Sequence, residues 1–570
     1  MIPMRDGIRL AADVYKPSQG AGPFPVIVER TPYGKRDCEH SAAQYYARRG
    51  YVTIIQDERG RYRSEGIYYW WRDHGGFTED ADEWGANYDG YDTIEWAGTQ
   101  SWSTGKVGTM GLSMGCFNQY MTAPTAPPHL TAMFCTQAAG NAYKDLFYQG
   151  GALHMIMPTW LLTRNEMARP FRVNFPGRGG YVGGHDVWNE WYREKQLGNL
   201  DMGASMVSNL LEDMMANPHY NDYWKQFAVD EHMDKIDVPI MHFGSWYDRY
   251  SRPQLTMFNG VREQGGPNAR NAQNIVYGPW THGAGEVMNR VVGDLDFGPE
   301  AALDYNALRL RWFDYHLKGI DNGFGSEPPV RIFVMGENRW RFENEFPLAR
   351  AQHRDYYFRA GPSGSIESLN DGLLSSDAPD GDDRGSVSYE YDPMNPVPTI
   401  GGDFFNQPAG ARDHRPADRL SLTFTTPPLQ EDTEITGLPI VEFYASSSAV
   451  DTDWVVAISD VHPSGYSQIL RQNLLRASHR DGHEEPRPLN PGEIEAYRME
   501  LYPISNLFGE GHRIRVTITS SSFPKWFPNG NQFETDDRDS TGVVATNTIF
   551  FDRDRPSRIT LPIIPPSSRP

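Results

Sequence analysis

Residues 106–115 constrain this chain more than any other stretch. Lys106-Val107-Gly108-Thr109-Met110 reads as a buried strand and runs into Gly111-Leu112-Ser113-Met114-Gly115, after which a helix is expected. A serine between two glycines at a strand-to-helix junction predicts a sharp turn that thrusts the Ser113 hydroxyl outward. The helix N-terminus then offers a backbone N–H, that of Met114, to a developing oxyanion. The pattern by itself also describes a glycine-rich turn. Its strand and helix context is what favours a nucleophile.

A serine at its free pKa attacks poorly and needs a base held by an acid. When the nucleophile sits on such an elbow in a parallel sheet, the acid and the histidine follow it in chain order, each after a later strand. Two loops meet that condition. The strand Pro239–Phe243 ends in Gly244-Ser245-Trp246-Tyr247-Asp248, and the strand Asn274–Tyr277 ends in Gly278-Pro279-Trp280-Thr281-His282. Asp248 is the candidate acid and His282 the candidate base. Taken singly, Asp248 is equally a turn residue and His282 an ordinary loop histidine; together with Ser113 they form an ordered set. His242, inside a strand, is read as buried structure, and His462, His479 and His483 as residues of exposed faces.

The surrounding rhythm fits. Strands at Pro25–Arg30 and Tyr51–Asp57 flank a helix, Ala42–Arg49, that Gly50 closes. Alternation of this kind predicts βαβ units and a mostly parallel sheet. The alternation fails between Asn141 and Asp237, where helices are expected over 186–196 and 202–215, and it resumes at Val238. A helix over Tyr305–Lys318 stops at Gly319. Beyond Phe346 come a loop-rich stretch and short strands at Leu420–Thr425, Ile440–Ala445, Trp454–Ser459 and Arg513–Thr519, which favour a β-sandwich or jelly roll. The expected organisation is a catalytic α/β domain over 1–140 and 238–345, a helical cap over 141–237 and a β domain over 346–570.

Composition narrows the partners. The 53 basic and 74 acidic residues give a net charge of −21, which argues against nucleic acid or an anionic membrane surface. No stretch approaches the roughly 20 apolar residues of a membrane span. No basic-then-apolar leader precedes the first strand, so a cytoplasmic location is expected, or a secreted or periplasmic one if a leader has been removed. The three cysteines, Cys38, Cys116 and Cys135, have no CxxC spacing, so neither a disulfide framework nor a zinc site is expected. The sequence leaves homo-oligomerisation open.

Several motifs in order resemble one family. Met4-Arg5-Asp6-Gly7-Ile8-Arg9-Leu10, Thr31-Pro32-Tyr33, Gln56-Asp57-Glu58-Arg59-Gly60-Arg61-Tyr62-Arg63-Ser64-Glu65-Gly66, Gly278-Pro279-Trp280-Thr281-His282, Leu310-Arg311-Trp312-Phe313-Asp314-Tyr315-His316-Leu317-Lys318-Gly319 and Tyr444-Ala445-Ser446-Ser447-Ser448 are similar to the cocaine-esterase and X-Pro dipeptidyl-peptidase hydrolases. The resemblance covers nearly the whole chain. It implies an α/β-hydrolase core with an inserted helical cap and a C-terminal jelly roll. It also implies that Tyr33 donates its hydroxyl to the oxyanion, and that Phe404 and Phe405 lie on a jelly-roll loop reaching the active site. Read as plain residues, Tyr33 is a turn or core aromatic and the two phenylalanines are core.

The expected function is a serine hydrolase that cleaves carboxylic esters of bulky or aromatic acyl groups through an acyl-enzyme, with a small-molecule ester or amide as substrate and no cofactor or metal. The alternative is an amidase, acylase or X-Pro-type peptidase with the same machinery. A different class is a non-catalytic binding protein that uses its β-sandwich. Trp246 and Tyr250, beside the candidate acid, are expected substrate contacts. No carboxylate follows Asp248 closely, so an α-amino acyl group finds no counter-charge there, whereas Arg249 and Arg252 are either partners for an anionic acyl tail or solvated surface residues.

Overall fold

The protein is described from a computed structural model, for residues 1–35, 40–69, 88–157, 213–283, 286–365, 368–380, 385–403, 409–533 and 541–568. A nine-stranded sheet forms the first half. We label its strands β1 (Ala12–Tyr15), β2 (Phe24–Thr31), β3 (Val52–Asp57), β4 (Ser103–Leu112), β5 (Leu130–Thr136), β6 (Ile240–Ser245), β7 (Gln273–Gly278), β8 (Val330–Val334) and β9 (Arg339–Glu343). Their spatial order is β9-β8-β7-β6-β5-β4-β2-β3-β1. The interior ladders are all parallel, and only the edge pairs β8–β9 and β1–β3 run antiparallel. Strands buried on both faces read as continuous apolar or β-branched runs, which is why β2, β3 and β6 were recognisable.

Helices cover the sheet: α1 (His40–Ala47), α2 (Asp89–Gly98), α3 (Met114–Thr122), α4 (Ser251–Gln264) and α5 (Tyr305–Lys318). Helix α5 has the expected bounds. The Asp304 side chain accepts from the Ala307 N–H at its start, and Gly319 ends it in a left-handed conformation at φ 67°, satisfying groups that the helix leaves open. The cap helix expected over 186–196, and nearly all of that over 202–215, lie outside the described residues. On either side of them the chain forms a π-helical turn at Tyr143–Phe147 and short helices such as Asp222–Lys225.

The C-terminal half is a second, 13-stranded sheet. Its described ladders are antiparallel except for Gly372–Ser375 against Leu422–Thr425. Three of its strands matter below: β10 (Asp453–Val461), β11 (Ser467–Arg476) and β12 (Arg513–Thr519). One apolar cluster runs from Phe243, Trp246 and Tyr277 of the first half to Trp454, Leu470 and Ile518 of the second, so the two halves pack as one body. Among the described residues no helix is long and apolar enough to cross a membrane.

The cysteine expectation needs correction. Cys116 and Cys135 are paired as a disulfide with Cα atoms 4.9 Å apart. They stand 19 positions apart in sequence, but β4 and β5 are parallel neighbours and Gly111 faces Cys135 in the ladder, so α3 turns back over β5 and brings the sulfurs together. Cys38 lies outside the described residues.

Candidate active site

Ser113 stands between β4 and α3 with φ 58° and ψ −120°, a left-handed conformation that costs a non-glycine residue of order 1–3 kcal/mol. The first glycine of the motif is sterically required. A Cβ on Gly111 would lie 2.3 Å from the Gly115 carbonyl oxygen, whereas one on Gly115 would approach only the Arg30 oxygen, at 3.4 Å. The turn is held from both sides: the Ser113 N–H donates to Thr136 O at 2.9 Å, and its own carbonyl accepts from Cys116 and Phe117. Met114 is the first residue of α3, so its N–H has no acceptor within the helix.

The acid and base come from adjacent parallel strands. Gly244 pairs with Tyr277 and Ser245 with Gly278, which starts both loops at the same level. The Trp246 N–H donates to Gly278 O and the Tyr247 N–H to Trp280 O, at 2.7 and 3.0 Å. Asp248 is fully buried and its Oδ2 lies 3.0 Å from His282 Nδ1, while Oδ1 accepts from the Tyr250 N–H at 3.0 Å. That leaves the imidazole with a fixed orientation and its Nε2 on the far side from the carboxylate.

One residue that sequence reasoning missed joins these pieces. Gln137, next in chain after the Thr136 that receives the Ser113 N–H, is fully buried at φ 47°. Its Nε2 donates to Thr281 O at 2.9 Å and to Ser245 Oγ at 2.7 Å, and its Oε1 accepts from the Gly283 N–H at 2.8 Å. It therefore brackets His282 on both sides. No sequence pattern marks it, since a left-handed glutamine is visible only in the backbone.

Tyr33 lies on the loop after β2, half-buried against the apolar cluster that holds Met114, Phe117 and Tyr250. The Tyr250 ring meets the His282 ring edge-on, 5.5 Å between centroids. Trp246 does not line this face. It is 1% exposed, stacks on Tyr277 at 4.6 Å and donates its indole N–H to Phe333 O at 2.7 Å, because it follows β6 on the side that faces the core. Phe404 and Phe405 lie outside the described residues.

Arg249 also departs from expectation, whereas Arg252 stays at the surface, one of its two expected placements. Arg249 is fully buried and donates to the carbonyls of Asp145 and Leu146 at 2.6 and 2.8 Å; Arg252 is paired with Glu500 at 3.0 Å. His242 is buried structure, as expected. It bonds Tyr120 and Gln273, and burial pushes it down to about 4. Among the described residues, Asp460, His462 and His512 have metal-ligating atoms within 4.8 Å of one another; His512 Nδ1 bonds Asp460 within the trio, and His462 Nε2 bonds Gln468.

A buried acid bonded to an imidazole and a serine held on a helix-starting elbow are the parts that acyl-transfer chemistry combines. Comparison with known proteins agrees. Residues 6–284 match the family model of the X-Pro dipeptidyl-peptidase (S15 family), and residues 322–560 that of the X-Pro dipeptidyl-peptidase C-terminal non-catalytic domain. The cocaine esterase of Rhodococcus sp. (strain MB1 Bresler) is 31% identical, over 99% of this chain and 98% of its own. Among solved structures, an aminopeptidase from a marine-sediment Thaumarchaeota archaeon superposes with a TM-score of 0.84 at 25% identity, covering 99% of this chain and 96% of its own. An α-amino acid ester hydrolase superposes at 0.83 and 24% identity, over 99% and 95%, which shows the shared fold. On this combination of elbow, acid–histidine pair and full-length similarity, the chain belongs to the cocaine-esterase and X-Pro dipeptidyl-peptidase family of α/β-fold serine hydrolases.

Proposed function

We propose that this serine ester hydrolase acts on neutral esters with bulky or aromatic acyl groups, using Ser113 as nucleophile, His282 as general base and Asp248 as the acid that orients it. The unit that carries the reaction is assigned to 1–140 and 238–345, with the cap over 141–237 and the β domain over 346–570. His282 takes the Ser113 proton as the hydroxyl attacks the ester carbonyl, then returns it to the departing alcohol. Water repeats the sequence on the acyl-enzyme and regenerates Ser113. The Met114 N–H and the Tyr33 hydroxyl are assigned to the oxyanion of both tetrahedral intermediates. The observation that carries this reading is the bond between buried Asp248 and His282, linked through Gln137 and Thr136 to the Ser113 elbow. A binding protein has no use for a serine held at positive φ.

Substrate class follows from what surrounds His282. Tyr250 presents an aromatic ring there, and no carboxylate lies between Asp248 and the start of α4. A substrate ammonium buried without a partner suffers an effective desolvation cost of several kcal/mol. Arg249 is committed to main-chain carbonyls and Arg252 to Glu500, so neither supports an anionic tail. The test compares kcat/KM for matched phenylacetyl, phenylglycyl and glutaryl esters, with the phenylacetyl amide alongside. The phenylacetyl ester is expected to lead. A preference for the phenylglycyl ester would contradict the reading and mean that another segment supplies a carboxylate.

A further inference from the structure

Strand β11 of the C-terminal domain touches the loop of Asp248 at two points. Gln468 Nε2 donates to the Tyr247 hydroxyl at 3.0 Å. Arg471, fully buried, donates from Nη2 to Ser251 Oγ at 2.7 Å and from Nε to Pro503 O at 3.1 Å, and its Nη1 lies 3.5 Å from the main-chain oxygen of Asp248. In a regular strand, residues three apart point to opposite faces. Here the ladder to β10 slips: Ser459 pairs with Ile469 but Ile458 pairs with Arg471, so Leu470 is an extra residue. That bulge puts Arg471 on the same face as Gln468, the re-aiming that a bulge makes available.

We propose that Arg471, delivered by the bulge at Leu470, is a positioning residue for the triad acid; the proposal rests on Asp248 being that acid, as assigned above. A buried guanidinium is costly unless its donors and charge are satisfied. Its Nη1 and Nη2 face the Asp248–Ser251 turn, its Nε is taken by Pro503 O, and the carboxylates of Asp403 and Asp248 offset part of the cost of burying its charge. Ser251 opens α4, so the grip holds both the aspartate and the helix that follows it. Through this contact the C-terminal domain sets the register of Asp248 against His282, a register in which about 1 Å of misplacement costs on the order of 10²-fold in rate.

The experiment is a double-mutant cycle on the full chain. It reads kcat and KM for a neutral ester in Arg471→Met, Arg471→Lys, Asp248→Asn and the Arg471→Met/Asp248→Asn pair, with thermal melts to establish folding. Arg471→Met is expected to lower kcat by about 10- to 100-fold with KM nearly unchanged, and lysine to restore part of the loss. On the Asp248→Asn background the same change should add less than about threefold, because residues acting through one network are not additive. Unchanged kcat in Arg471→Met, or a full multiplicative loss in the double variant, overturns the proposal and leaves Arg471 as interdomain packing. If Arg471→Met does not fold, Ser251→Ala, which removes only the 2.7 Å acceptor, replaces it with the same two outcomes. Asp248→Asn at wild-type rate is a separate result, since it removes the triad assignment itself.

Discussion

Ser113 and Gln137 are both non-glycine residues at positive φ, 58° and 47°, and both are held by bonds on either side rather than by their own preference. Strain kept in place this way fits a site whose geometry has to be ready before substrate arrives. The turn at Ser113 and the strand-end loops that bring Asp248 to His282 were legible because an elbow motif and two loops in chain order form a local pattern. Gln137, the burial of Arg249 and the inward turn of Trp246 were not, because each depends on partners far away in sequence: Thr281, Leu146 and Phe333. Tyr33 tests the oxyanion assignment at this scale. Tyr33→Phe keeps the ring and removes one donor, so kcat should fall by about 10²–10³-fold with little change in thermal stability. An unchanged kcat assigns Tyr33 to packing.

Among the elements, those with a strong local period kept their bounds. Strand β12 alternates polar and apolar residues over Arg513–Thr519, and α5 is bracketed by its cap and Gly319. The bulge in β11 and the Cys116–Cys135 pairing had no such signal, since each arises from how one strand meets its neighbour. The β4–α3 elbow gives the sharpest element-level prediction. Gly111→Ala forces a methyl to 2.3 Å from the Gly115 carbonyl, an overpacking that costs about 1–3 kcal/mol. The melting temperature should drop and Ser113 reactivity should drop further, because the turn opens where the nucleophile stands. Gly115→Ala, with its nearest atom at 3.4 Å, should be milder in both readouts.

Across the whole molecule, the packing of the C-terminal half on the segment around His219 carries a pH dependence. His479 and His483 were expected on exposed faces, but His479 is buried and its Nδ1 lies 3.0 Å from that of His483, with the His219 ring next to it. Burial, with neighbouring positive charge, pushes His479 down to about 2 and His483 to about 4. An unfolded histidine takes its proton near pH 6.5, so protons favour the unfolded chain. This contribution is full above about pH 6.5 and is lost as pH falls toward 4 and below. Asp145 and Asp451, raised by burial to about 6 and about 7, act in the opposite sense, so the histidine part is read as a difference. Thermal melts from pH 8 to pH 4 should show a smaller acid loss in His483→Gln than in the wild type, and equal losses would contradict this account of the pair.

The central claim is that one serine, held on the β4–α3 elbow and served by the Asp248–His282 pair, forms the acyl-enzyme. Its most direct measurement is fluorophosphonate labelling of the full chain, with the adduct located by peptide mass spectrometry. The label should fall on Ser113, vanish in Ser113→Ala and form far more slowly in His282→Ala and Asp248→Asn. A label on another serine, or ester turnover at wild-type rate in Ser113→Ala, would contradict it.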